Sequence, residues 1–159
     1  MPIDIASRLA HLVFAAVWAG SVFYVAFVIL PLARDGAFNT TKPLETISTK
    51  LTTISRVSAL VLLLTGGHLA GTGYSFDGDG APGLFTSANG QLVALMVVLW
   101  LALAALVEIG AKRFESGLNG KKLREPAHRA LPLFRAAAVV AVLLLVVGGI
   151  ITTGAVHRL

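Results

Sequence analysis

Histidine and methionine side chains near one end of long apolar segments are the residues of this sequence best suited to metal chemistry. His11, His68 and Met96 lie at similar depths in the first three segments, and His157 ends the fourth on the same side. Neutral imidazole suits copper or heme iron, and thioether sulfur selects Cu(I). The spacing therefore predicts a Cu(I) site of His11, His68 and Met96, with His157 as a further candidate ligand, or a heme iron held by His11 and His68.

Three of these side chains also have an interpretation without a ligand. His68 would hydrogen-bond to a neighbouring helix, His157 would mark the membrane interface, and Met96 would fill space in the core. Trp18 lies well inside the first segment. It either packs in the core or stacks on a porphyrin as a cofactor-binding residue.

Two opposite charges, Arg56 and Glu108, enter the second and third segments from the other end. An isolated ion inside a membrane is costly, and pairing lowers that cost. We therefore expect a buried ion pair with a structural role. The functional alternative makes Glu108 part of a proton or cation path.

The composition indicates an integral membrane protein. Of 159 residues, 56% are hydrophobic and 13% are charged, and the mean hydropathy is +0.82. Soluble domains carry about 25% charged residues, so a soluble monomer and a disordered chain are excluded. The chain has no cysteine, which excludes disulfides and thiolate metal sites.

Four apolar spans, at residues 6–32, 51–73, 91–111 and 131–156, are long enough to cross a bilayer as helices. They are too long for strands of a membrane barrel, the other structure that satisfies the backbone in lipid. The loops between them are short, which favours antiparallel neighbours. The sequence therefore predicts one all-α transmembrane domain over residues 1–159, an up-down four-helix bundle.

The basic residues predict the orientation of this bundle. Of the 13 lysine and arginine residues, all except Arg8 and Arg158 lie in or beside the first and third loops. The positive-inside rule places these loops in the cytoplasm and both termini outside. Because this distribution of charge suits an orientation signal better than a DNA-binding face, we expect no nucleic acid partner. The expected partners are the lipid bilayer and either a second copy of the chain or a membrane or metal-carrier protein.

The first span, from His11-Leu-Val-Phe-Ala-Ala-Val-Trp-Ala-Gly20 to Pro31, resembles the opening helix of the copper resistance D (CopD-like) membrane proteins. The stretch from Ser55-Arg56-Val57-Ser58 to Thr65-Gly66-Gly67-His68 is similar to that family's second helix. This resemblance implies a four-helix membrane unit linked to copper uptake or handling. It also implies a ligand role for His11, and by the same match for His68.

A second resemblance is confined to the first span. His11 and the Trp and Gly that follow it resemble the start of HemJ-type protoporphyrinogen oxidases, four-helix proteins with bound heme. This implies a heme b ligand role for His11.

Three functions remain open on this basis. The leading hypothesis is a copper-binding or copper-transporting membrane protein with a histidine site near the outer face. The second is a heme b protein or oxidoreductase with His11 and His68 as axial ligands. The third is a membrane assembly subunit without catalysis. No GxSxG, HExxH, P-loop or GxGxxG pattern is present, so we assign no catalytic residue and favour a role other than catalysis.

Overall fold

The computed structural model describes residues 2–74, 83–120 and 123–153. Four helices account for most of this part, and each is long and apolar enough to cross a membrane. They are α1 (Pro2–Asp35), α2 (Lys42–Gly73), α3 (Ala88–Asn119) and α4 (Arg124–Thr153). No strand occurs among these residues. The predicted all-α four-helix architecture is confirmed.

Helices that follow one another in the chain run antiparallel. In each pair, contacts join residues nearer the start of one helix to residues nearer the end of the other. The contacts are His11 with Thr65 and Trp18 with Ser55 (α1–α2), Ser48 with Glu115 and Arg56 with Glu108 (α2–α3), and Gly110 with Phe134 and Gly117 with Pro126 (α3–α4). The bundle therefore has a histidine end, where α1 begins, and a basic end, where α1 finishes.

The helices extend past the apolar spans at the basic end. Helix α2 begins at Lys42 rather than at residue 51, α3 continues to Asn119 rather than 111, and α4 begins at Arg124 rather than 131. These extensions carry lysine, arginine and glutamate, which hydropathy excludes from a span. They also bury Leu44 and Leu118, which have no exposed surface or almost none. Packing between helices therefore stabilises these helical extensions outside the apolar spans.

Pro31 changes the helical geometry of α1 without ending the helix. Proline has no N–H, and its ring crowds the carbonyl group four residues earlier. The turn before it, Val25–Ile29, widens to π-helical geometry, and the Leu30 N–H group bonds to the Val25 carbonyl. Helix α1 then continues to Asp35, beyond the predicted limit of the span.

The close of α1 depends on a glycine. Gly36 has a φ of 86°, a conformation that is open to glycine at little cost. The Ala37 N–H group reaches back to the Leu32 carbonyl at 2.9 Å, the pattern of a Schellman motif.

The buried core lies toward the basic end of the bundle. Buried residues run from Trp18 to Ala33 on α1 and from Leu44 to Leu62 on α2. Before Trp18 on α1 and after Leu62 on α2, no described side chain is buried. The histidine end is therefore packed more loosely than the basic end, and its side chains remain accessible to lipid or to another molecule.

Candidate functional site

His11 is held in a defined orientation by its contact with α2. Its Nδ1 atom lies 2.8 Å from Oγ1 of Thr65, and the same hydroxyl group donates to the Val61 carbonyl at 2.7 Å. A threonine hydroxyl group has one proton, and here that proton goes to Val61. The Thr65 oxygen atom therefore accepts from His11, which assigns the N–H of the ring to Nδ1 and leaves the Nε2 lone pair for a ligand.

Gly66 leaves room for this imidazole. A Cβ atom at Gly66 would stand 3.1 Å from Cε1 of His11, tighter than an ordinary van der Waals contact. A side chain at position 66 would press on the ring beside Nε2. Thr65 thus orients the His11 ring by a hydrogen bond, and Gly66 leaves the space that the ring occupies.

His68 lies in the same α1–α2 interface but has its own partner. Its Nε2 atom is 3.1 Å from Oδ1 of Asp4, in the first turn of α1. The side chains of His68 and Asp4 are 37% and 43% exposed. This half-exposed pair joins the last turns of α2 to the start of α1. A ligand that bound Nε2 of His68 would have to displace Asp4.

The two imidazole groups lie in the same α1–α2 interface without forming a preformed metal centre. On α1 the partner of His68, Asp4, precedes His11 by about two turns, which is roughly 10 Å along the axis. Among the described residues, no group of three or more His, Cys, Asp or Glu side chains is arranged to hold a metal ion.

Met96 packs on the other side of the bundle from this interface. Its Cε atom would be 3.8 Å from a Cβ atom at Gly148, so the thioether lies between α3 and α4. His157, the fourth candidate ligand, lies outside the described residues.

Trp18 is enclosed by the core. Its side chain is 1% exposed, and its Nε1 atom donates to Oγ of Ser55 at 2.9 Å. A porphyrin stacked on Trp18 would have to displace core side chains. The donor set of His11 and His68 fits an axial role in a heme protein, but Trp18 in this packing has no free face to support the ring.

Arg56 and Glu108 form an ion pair with two hydrogen bonds. Nε and Nη2 of Arg56 donate to the two Glu108 oxygen atoms at 2.7 and 3.0 Å. The predicted burial of this pair is not observed, because the side chains of Arg56 and Glu108 are 67% and 30% exposed. Arg56 is the more exposed of the two, and its long side chain can reach the membrane interface.

Sequence reasoning missed three partners in this arrangement. Asp4 was not paired with His68, Ser55 was not paired with Trp18, and Ser48 donates to Oε1 of Glu115 at 3.0 Å. The available signal was the row of hydroxyl residues on α2, which lies on one face at helical spacing. No protein-family model, no curated protein and no solved structure matches this chain.

Proposed function

We propose that this chain is a copper-handling membrane protein in which Nε2 of His11 is the first ligand of the ion. The observation that supports this most is the hydrogen bond between His11 and Thr65, because it leaves Nε2 unprotonated and turned away from its partner. A hydrogen bond to the other ring nitrogen is the usual companion of an imidazole that binds metal. His68 is the second ligand, released from Asp4 when the ion binds.

The loose packing of the histidine end supports access to this site. Side chains of α1 before Trp18 are not buried, so an ion or a carrier protein can approach His11 without opening the core. The basic residues at the opposite end support a cytoplasmic location for that end, by the positive-inside rule. Copper then reaches His11 from outside the cell, exchanges water for imidazole, and passes to a partner or along the bundle.

The experiment measures copper by elemental analysis and heme by optical absorption in the same detergent-purified protein. We expect bound copper in the wild-type protein, its loss in His11→Ala and a reduced amount in His68→Ala. The matched control is His128→Ala, since His128 is an exposed histidine at the basic end and should not affect copper.

Two results would overturn the proposal. One is a wild-type protein that, after loading with copper, holds no more copper than the His11→Ala variant. The other is a heme absorption band that disappears in His11→Ala, which would assign the imidazole groups to the alternative heme b function.

A further inference from the structure

A cleft opens between α3 and α4 at the basic end of the bundle. It has a volume of about 310 Å³, and its lining includes Arg113 of α3 and Arg129 of α4. Gly117 and Pro126 also line it. A Cβ atom at Gly117 would overlap the Pro126 ring, so the two helices approach each other closely here because Gly117 has no side chain. This close approach brings an arginine from each helix to the same cleft.

The two arginine residues lie at nearly the same level along the antiparallel α3–α4 pair. The register of the contacts between these helices places Arg113 opposite residues 130–131. Arg129 is therefore offset from Arg113 by one or two residues, which is roughly 3 Å at most along the helix axis. A guanidinium group can reach the cleft from either side at one height, so a single small ligand could contact both.

Both guanidinium groups keep hydrogen-bond donors available for a ligand. A guanidinium group has five N–H donors in a planar fork. Arg129 pairs with Glu125 one turn earlier on its own helix, and its side chain is 73% exposed. The Arg113 guanidinium group has no hydrogen-bond or ion-pair partner among the described residues. Two such forks at one cleft suit the oxygen atoms of a phosphate group, which arginine binds by paired, charge-assisted hydrogen bonds.

The level of the cleft along the helices corresponds to the headgroup layer of a membrane. The apolar spans of α3 and α4 meet this end of the bundle at residues 111 and 131, so Arg113 and Arg129 lie about 3 Å beyond them. The headgroup layer extends roughly 5–8 Å beyond the hydrocarbon on each side. One turn toward the hydrocarbon from Arg113, on the same face of α3, Ile109 is 45% exposed. Apolar surface on which an acyl chain can lie therefore begins next to the cleft.

We propose that this cleft binds the phosphate group of an anionic phospholipid, of which phosphatidylglycerol is a simple example. Basic pockets between membrane helices suit such headgroups. Among the described residues, the charged side chains that line the cleft are two arginines and one glutamate. Their net charge of +1 is balanced by one phosphodiester group. A zwitterionic phospholipid also carries a cation, which the arginine residues repel. The site lies at the opposite end of the bundle from His11 and does not depend on the proposed copper function.

The test counts bound lipids by native mass spectrometry of the full chain in neutral detergent micelles without copper. The micelles contain phosphatidylglycerol in one series and phosphatidylcholine in another, and a third series adds soluble glycerol 3-phosphate to the phosphatidylglycerol micelles. The variants are Arg113→Gln and Arg129→Gln, whose positions are exposed, so the packing of the bundle is kept. Lys50→Gln is the matched control, because Lys50 is an exposed basic residue just outside the apolar span of α2 and does not line the cleft.

We expect the wild-type protein to bind phosphatidylglycerol at least about tenfold more tightly than phosphatidylcholine. Each arginine variant should weaken phosphatidylglycerol binding about fivefold, and Lys50→Gln should leave it unchanged. The proposal is overturned if the arginine variants bind phosphatidylglycerol as the wild-type protein does. It is also overturned if Lys50→Gln weakens binding as much as they do, since binding would then follow total charge. Displacement of the lipid by an equal concentration of glycerol 3-phosphate would overturn it too, because the cleft would then be a site for a soluble phosphate.

Discussion

Thr65 accepts a hydrogen bond from Nδ1 of His11 at 2.8 Å while its own proton goes to the Val61 carbonyl. One hydroxyl group thereby sets both the orientation and the tautomer of a histidine on another helix. The consequence is a free Nε2 atom at the loosely packed end of the bundle. The proposed copper function rests on this atom.

Replacing Thr65 by valine should weaken copper binding by His11. Valine keeps the volume but cannot accept the Nδ1–H hydrogen bond, and loss of such a partner costs about 10–100-fold in metal affinity. Competition with a Cu(I) chelator measures the change. Thr53→Val is the control, because the exposed Thr53 hydroxyl group bonds only to a carbonyl of its own helix. Equal affinity in the two variants would remove Thr65 from the site.

Replacing Ser55 by alanine should destabilise the bundle by about 1–3 kcal/mol, because the buried Trp18 N–H group loses its acceptor. Denaturant unfolding in detergent, followed by circular dichroism, measures the free energy. Adding Trp18→Phe to Ser55→Ala removes the unpaired donor, so the second change should cost less in the variant than in the wild-type protein. Additive costs would show that the hydrogen bond has no energetic importance.

Gly117 should tolerate no side chain. A Cβ atom there would overlap the Pro126 ring at the turn between α3 and α4, and overpacking costs about 1–3 kcal/mol. Gly149→Ala is the matched control, since a Cβ atom there meets nothing within 4 Å. Thermal unfolding should show a lower midpoint for Gly117→Ala and an unchanged or higher one for Gly149→Ala. Equal midpoints would contradict the close α3–α4 packing.

The Arg56–Glu108 pair should show coupling between its members. Replacing either residue by glutamine leaves an unpaired charge at the edge of the bundle, whereas replacing both leaves none. We therefore expect the double variant to unfold at a higher temperature than the worse of the two single variants. A double variant whose losses are the sum of the single ones would mean that the two hydrogen bonds do not stabilise the protein.

The sequence predicts the helices because the membrane demands a simple pattern. Long apolar spans must be helical in lipid, and short loops make neighbours antiparallel. The helix ends were not predictable in the same way. At the basic end, the continuation of α2 to Lys42 depends on buried contacts of residues such as Leu44, which hydropathy does not register.

The candidate site was predictable only in part, because spacing along one helix does not fix its register against another. The row that includes Ser58, Thr65 and His68 could be read from helical periodicity. Which residue of α1 faces which residue of α2 could not, so Asp4 was missed as the partner of His68. The exposure of Arg56 was missed for a similar reason, since its direction depends on the rotation of α2 in the bundle.

X-ray absorption at the copper edge tests the central claim most directly, because it reports the atoms bound to the ion. For protein loaded with Cu(I), the account predicts a first shell dominated by nitrogen, with the scattering pattern of imidazole, and loss of bound copper in His11→Ala. A first shell dominated by sulfur, or an imidazole pattern that is unchanged in His11→Ala, would contradict it.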